Sequence, residues 1–196
     1  MKIVRKVDAK ILREISAILR EGGLVVYPTD TLYALGADVY NREAVKKVYT
    51  VKKRPLSLPL PIALSSVDEI KRVAEMSAPA YKFCRKHLPG AITVLLPSKL
   101  PQFQEKVGIR VPACDVALKL LRECGPLTAT SANLHRGTPP KTVEHAQEQL
   151  GKDVDVYVDG GECLGIPSTV VDITDLPTIS LIREGTVPFR RLMQDG

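Results

Sequence analysis

Hydrophobic and polar positions alternate along this chain with two periods in turn, one near 3.6 residues and one near 2. Ile11, Leu12, Ile15, Ile18 and Leu19 fall on one face of a helix predicted over residues 8–21, with Asp8 placed to cap its start and Gly22 beyond its end. Residues 24–27 follow as a short apolar β run stopped by Pro28. A second helix starts at Asn41 and turns Ala44, Val45, Val48 and Tyr49 inward. Residues 60–64 read as a strand that Pro59 and Pro61 make irregular or place at a sheet edge. Ser66 and Glu69 have capping-box spacing for a helix toward Met76, and residues 79–88 form a further helix closed by Pro89-Gly90.

The second half repeats the alternation. Strands are expected at 91–96 and 107–111, a helix at 113–124 ended by Gly125-Pro126, a strand at 127–130 and a helix at 142–150. Strands at 155–158, 168–173 and 178–182 complete the pattern. Such alternation predicts an α/β fold, with a twisted mixed sheet flanked by helices. No linker, repeat or low-complexity stretch divides the chain, so one domain over residues 1–196 is expected.

Composition narrows the partners. The 196 residues carry 28 Lys and Arg against 22 Asp and Glu, a net +6, which favours anionic partners such as nucleotides, phosphates or RNA. Aromatics are 5% with no Trp, which argues against a stacking platform for single-stranded nucleic acid. No window approaches the apolar length of a membrane span, and charges interrupt the first twelve residues where a signal peptide needs an apolar run. Cys84, Cys114, Cys124 and Cys163 form no CxxC pair and the three histidines no HExxH. Reduced thiols in a cytoplasmic protein are therefore expected. There is no GxGxxG, GxxxxGK[ST] or GxSxG, so a nucleotide must be held in some other way.

The chemistry shows first in where acids are missing. No Asp or Glu lies between Glu43 and Asp68, a window holding Lys46, Lys47, Lys52, Lys53 and Arg54. None lies between Glu123 and Glu144, where Thr128, Thr130, Ser131, Asn133, Arg136 and Lys141 stand. A polyphosphate pocket excludes carboxylates and supplies cations and hydroxyl donors. A solvated basic face accounts for the first window equally well. The second says more, because an apolar strand delivers Ser131 and Asn133 just past its end, where α/β sheets bind ligands. Pro55 biases Arg54 to an extended conformation, in which Lys52 and Arg54 would face the same side as a two-cation clamp. Thr29 and Thr31 offer hydroxyls after the first strand, although Thr29 serves equally as a turn cap and Asp30 as a cap or Asx turn. A glycine-rich stretch from Gly160 to Gly165 leads into the strand after Ser168, and Arg183 closes the last strand.

Six segments, PTDTLYALG, KKRPLSLPL, VGIRVP, TSAN, PSTVVDI and IREG, stand in the order and at roughly the spacing of the YrdC/Sua5 family. The resemblance covers residues 24–185, and the length resembles the family's short stand-alone form. It implies a YrdC-like fold and L-threonylcarbamoyladenylate synthase activity. In that reaction L-threonine, bicarbonate and ATP give threonylcarbamoyl-AMP and pyrophosphate. Downstream threonylcarbamoyl-transferase proteins then modify adenosine 37 of tRNA. The resemblance further implies roles for individual residues. Lys52 and Arg54 match the basic pair near the phosphates and would be catalytic. Arg54, Ser131, Asn133, Arg183 and Lys106 match positions on the ATP side. Thr31, Arg110, Ala129 and Ser168 match positions around threonine or its carbamate. Mg2+ is implied with ATP, with no carboxylate ligand identifiable, as for a metal held mainly by phosphates and water.

The chain also departs from the pattern. Many relatives carry Asn-Pro-Leu after the basic pair and a histidine three residues on, where this chain has Leu58-Pro59-Leu60 and Ala63. Where relatives carry Ser-Pro-Thr, it has Pro139-Pro140-Lys141-Thr142. A second reading is a module that docks tRNA or double-stranded RNA without catalysis, through Lys46, Lys47, Lys52, Lys53, Lys82, Arg85 and Lys86. Steep salt dependence would distinguish it from a threonine-dependent enzyme.

Overall fold

Capping side chains set where the helices begin. In the computed structural model, which describes residues 1–193, Asp8 Oδ1 accepts the Ile11 N–H at 2.9 Å and starts α1 (Ala9–Arg20). Asn41 Oδ1 does the same for Ala44 at 3.1 Å, starting α2 (Arg42–Lys52). Ser77 caps α3 (Ala78–His87), and Thr142 caps α5 (Val143–Leu150). α4 (Asp115–Cys124) ends at Gly125, whose φ is 84°, and a short α6 (Phe189–Met193) follows the last strand. The helix expected from Ser66 toward Met76 is instead a short 3-10 helix, Val67–Arg72. Its cap fails because Glu69 turns back to Ser65, accepting from the backbone N at 2.9 Å and from Oγ at 2.7 Å.

The strands are β1 (Lys2–Val4), β2 (Val25–Tyr27), β3 (Ala34–Gly36), β4 (Ile62–Ala63), β5 (Ile92–Pro97), β6 (Lys106–Arg110), β7 (Leu127–Thr128), β8 (Thr130–Ser131), β9 (Val156–Val158), β10 (Thr169–Asp172) and β11 (Ser180–Arg183). The α/β class with mixed sheets flanked by helices holds, but the strands divide between two sheets. One has the order β1-β9-β2-β3-β8, the other β11-β10-β5-β6-β4-β7. The strand expected at 127–130 breaks at Ala129, whose N–H still bonds Pro61 O at 2.8 Å in the β4–β7 register, but Pro61 has no N–H to return and the ladder stops there. Its first half pairs with β4 and its second with β3, so one stretch of chain belongs to both sheets. β4 is not an edge. It lies between β6 and β7, and Pro61, just ahead of its two paired residues, limits its length by withholding a ladder donor opposite Ala129.

The side chain of Thr128 locks the crossing. It is fully buried, with Oγ1 accepting from Ala37 N at 3.0 Å and donating to Leu35 O at 3.1 Å. Its carbonyl accepts the Tyr27 hydroxyl at 3.2 Å. In the second sheet, alternation gives each face its own task. Ile92, Val94, Leu96, Val107, Ile109, Val111 and Val171 pack with Ile70, Phe83 and Cys84 in one core cluster. Burial of each large side chain there contributes about 1.5–3 kcal/mol. Thr93, Leu95, Gly108, Arg110 and Val170 occupy the opposite face and line a cavity.

All four cysteines are free thiols. Burial pushes the Cys84 thiol up to about 12 and, as the largest influence, the Cys163 thiol up to about 11. An unfolded thiol ionises near about 8.5. The stability these thiols contribute is therefore complete below about pH 8.5 and lost as pH climbs toward the folded values. The urea midpoint in reductant should fall between about pH 8 and about pH 10.5, and fall less in Cys84→Ala. An equal fall in that variant would take Cys84 out of the account. Among the described residues no helix is long and apolar enough to cross a membrane.

Candidate active site

The cavity between the two sheets has a volume of about 360 Å³. β3 and β8 contribute from one sheet, and β5, β6, β10 and β11 from the other. Three arginines reach it, Arg54, Arg110 and Arg183, together with the hydroxyl-bearing Thr31, Thr93, Ser131 and Ser168. Among the described residues no carboxylate lines it.

Its most ordered part is the corner after β2. Pro28 ends the strand, and Thr29 Oγ1 donates to Leu32 O at 2.6 Å while accepting from Thr31 N and Leu32 N at 3.2 Å. Thr29 is thus the turn cap. The two threonine hydroxyls lie 3.1 Å apart. Thr31 Oγ1 in turn accepts Arg110 Nη1 at 2.6 Å, and Asp30 Oδ1 accepts Arg110 Nη2 at 2.6 Å. Arg110 is 8% exposed, and its Nε has no partner among the described residues. Asp30 was legible only as a turn residue, yet it supplies the counter-charge that fixes the Arg110 fork.

A second cluster faces it. Thr93 Oγ1 and Ser168 Oγ are 2.8 Å apart, and Arg183 Nη2 donates to Ser168 O at 3.0 Å. Gly185 holds this corner, since a Cβ there would lie 2.2 Å from Pro167 O. Ala129, at the crossing between sheets, lines the cavity beside Ser131.

The expected Lys52–Arg54 clamp does not form. Lys52 is the last residue of α2, and Lys53 takes a left-handed φ of 51°, so the segment is not extended and the two cations part. Arg54 goes to the cavity, with Nη2 on Pro59 O at 2.8 Å. Lys52 turns inward to 2% exposure, where Nζ donates to the carbonyls of Ser131 and Asn133, the latter at 2.5 Å. Burial, and after it the charge of Arg54, push the Lys52 ammonium down to about 7. The two carbonyls work the other way.

Asn133 also lies outside the lining. Its Nδ2 donates to Leu134 O at 2.7 Å and Gly137 O at 2.8 Å, making it a loop brace. Lys106 shares its strand face with Gly108 and Arg110 but stands beyond the cavity, paired with Asp172 at 2.7 Å. That hydrogen bond is the largest influence raising the Lys106 ammonium above its ordinary value. Of the departing positions, Pro139 lines the cavity, while Ala63 is buried in β4 and the Leu58 carbonyl accepts the Tyr49 hydroxyl.

Comparison with known proteins adds to this geometry. The Sua5/YciO/YrdC family, described as "Telomere recombination", matches residues 17–185. A Methanocaldococcus jannaschii protein named "Putative threonylcarbamoyl-AMP synthase" is 37% identical, over 93% of this chain and 89% of its own length. The threonylcarbamoyl-AMP synthase of Pyrococcus abyssi is 31% identical, and this chain spans 59% of its length. The crystal structure of P. abyssi Sua5 complexed with L-threonine matches with a TM-score of 0.92 at 30% identity, over 99% of this chain and 60% of that one. Escherichia coli YciO matches with a TM-score of 0.85 at 26% identity, over 97% of this chain and 96% of its own.

Proposed function

The chain belongs to the Sua5/YciO/YrdC family, and from that premise we propose that it is a threonylcarbamoyl-AMP synthase. It joins L-threonine, bicarbonate and ATP into threonylcarbamoyl-AMP and releases pyrophosphate. The observation that carries this reading is a single cavity into which three arginines and several hydroxyls converge while, among the described residues, no carboxylate enters. That inventory suits one amino-acid carboxylate and one triphosphate.

The chemistry needs positioning and charge neutralisation more than a side-chain nucleophile. Threonine's amine attacks the carbon of bicarbonate and gives a carbamate with loss of water, or attacks the carbon dioxide left when bicarbonate loses hydroxide, the amine's proton then passing to that hydroxide. A carbamate oxygen then attacks the α-phosphorus, and the bond to pyrophosphate breaks. Arg110, fixed by Asp30 and Thr31, holds the threonine carboxylate through its remaining donors. Ser168 and the backbone at Ala129 flank the carbamate. Arg54 and Arg183 meet the phosphates, and Ser131 the nucleotide. In this reading Asn133 and Lys106 act on the nucleotide side from outside the cavity wall rather than by direct contact.

Magnesium enters with ATP. Among the described residues no group of three or more His, Cys, Asp or Glu side chains could cage it, and Asp30 is engaged by Arg110, which suits an ion held by phosphate oxygens and water. The product then passes to transferase proteins that act on tRNA.

The test is incubation with ATP, bicarbonate and labelled threonine. A labelled adenylate should form only when all three are present. It should fall at least about tenfold in folded Arg54→Ala and Ser131→Ala proteins. Adenylate formation that ignores threonine would reject the assignment.

A further inference from the structure

Lys52 is the only lysine buried among the described residues, and no carboxylate pairs with it there. A lone buried ammonium is costly unless its donors are well used. Here they are spent on backbone, with Nζ gathering the carbonyls of Ser131 and Asn133. The Lys52 carbonyl accepts His135 N at 2.7 Å. One residue therefore grips the segment 131–135 at three points.

The rest of that segment is closed on itself or on α5. Asn133 Nδ2 bonds Leu134 O and Gly137 O, and Leu134 N bonds Gln149 Oε1 at 3.2 Å. Two residues beyond Lys52, the Arg54 backbone N bonds Tyr49 O at 2.9 Å at the end of α2. Lys52 thus stands between two cavity residues that come from separate parts of the chain, Arg54 and Ser131, and does not line the cavity itself.

We propose that Lys52 is a positioning residue that sets the spacing between Arg54 and Ser131, and so shapes the nucleotide's side of the cavity, without touching phosphate. This rests on the reading of the cavity as an ATP site. A phosphate-binding lysine and a positioning lysine make different demands on the ligand. Loss of a phosphate contact weakens ATP more than AMP. Loss of the strut misplaces Ser131 and weakens both by the same factor.

The experiment is calorimetric titration of ATP and of AMP into the wild-type protein, Lys52→Met and Lys52→Arg. Both variants should lose about tenfold in affinity, equally for the two nucleotides. Lys52→Arg should be no rescue, because it keeps the charge but not the geometry of a compact ammonium between two carbonyls. Faster amide exchange at residues 131–137 should accompany the loss. Should Lys52→Met fail to fold, Lys52→Gln, which keeps N–H donors without the charge, carries the same comparison. A loss confined to ATP, or rescue by arginine, would overturn the proposal, as would wild-type affinity in the variants. Failure of the wild-type protein to bind either nucleotide would instead overturn the ATP reading.

Discussion

Arg110→Lys should raise the KM for L-threonine about 100-fold and leave ATP affinity within about threefold of wild type. The expectation follows from how the guanidinium is divided. Nη2 is held by Asp30 and Nη1 by Thr31, each at 2.6 Å, leaving the second hydrogen on each Nη to a ligand, while Nε is buried. A lysine carries one compact charge where arginine carries a planar fork. With Asp30 so near, that charge goes to the aspartate, and the threonine carboxylate loses its partner. Lysine is the informative choice because leucine would leave the half-buried Asp30 without its counter-charge and so mix a loss of stability with the loss of binding. Steady-state kinetics with threonine varied at saturating ATP is the measurement. An unchanged threonine KM would remove Arg110 from substrate binding.

Gly185→Ala should cost about 2 kcal/mol in stability and lower Tm by about 4–8 °C, with turnover reduced further. A Cβ at Gly185 meets backbone that cannot rotate away, Pro167 O at 2.2 Å, Ser168 C at 2.5 Å and Ser168 O at 2.6 Å. Relief requires the chain at Ser168 to move, and Ser168 O is what Arg183 bonds. Gly125→Ala is the contrast. Its φ of 84° strains any side chain, but nothing lies within 4 Å of the added carbon. It should cost about 1 kcal/mol through the backbone alone and leave turnover untouched. Thermal melts and initial rates on both variants separate crowding at the cavity from conformational strain away from it. Equal turnover in the two would refute the assigned role of Gly185.

The helices were legible because period and cap agree. Asp8, Asn41 and Thr142 each precede an amphipathic run and each accepts the expected N–H. Two of the short strands, β1 and β3, were not. β2 and β9 are as short as β1 and β3 but read as apolar β-branched runs, whereas Lys2-Ile3-Val4 lies among charges and Ala34-Leu35-Gly36 carries no β-branched residue, and these two exist because β9 and β2 offer them edges. The break at Ala129 was hidden for a related reason, since a bond from its N–H to Pro61 is tertiary and leaves no mark on local pattern. At the site, Arg54, Arg110, Arg183, Ser131, Ser168, Thr31 and Ala129 do converge. Lys52 misled because a period-two argument presumed extension, and one left-handed residue at Lys53 cancelled it. Asp30 escaped because a carboxylate in a turn reads the same whether or not an arginine from residue 110 lies over it.

The strand that crosses at Ala129 acts on the cleft as a spine acts on a book. It is covalent, locked by Thr128, and lies at the β7 border of the second sheet, with β11 at the far border. The two sheets are therefore joined through the chain itself along one side, while along the other β11 is exposed at every residue. Deep in the cleft the two sides meet again through side chains, where Arg110 of β6 reaches Thr31 and Asp30 after β2.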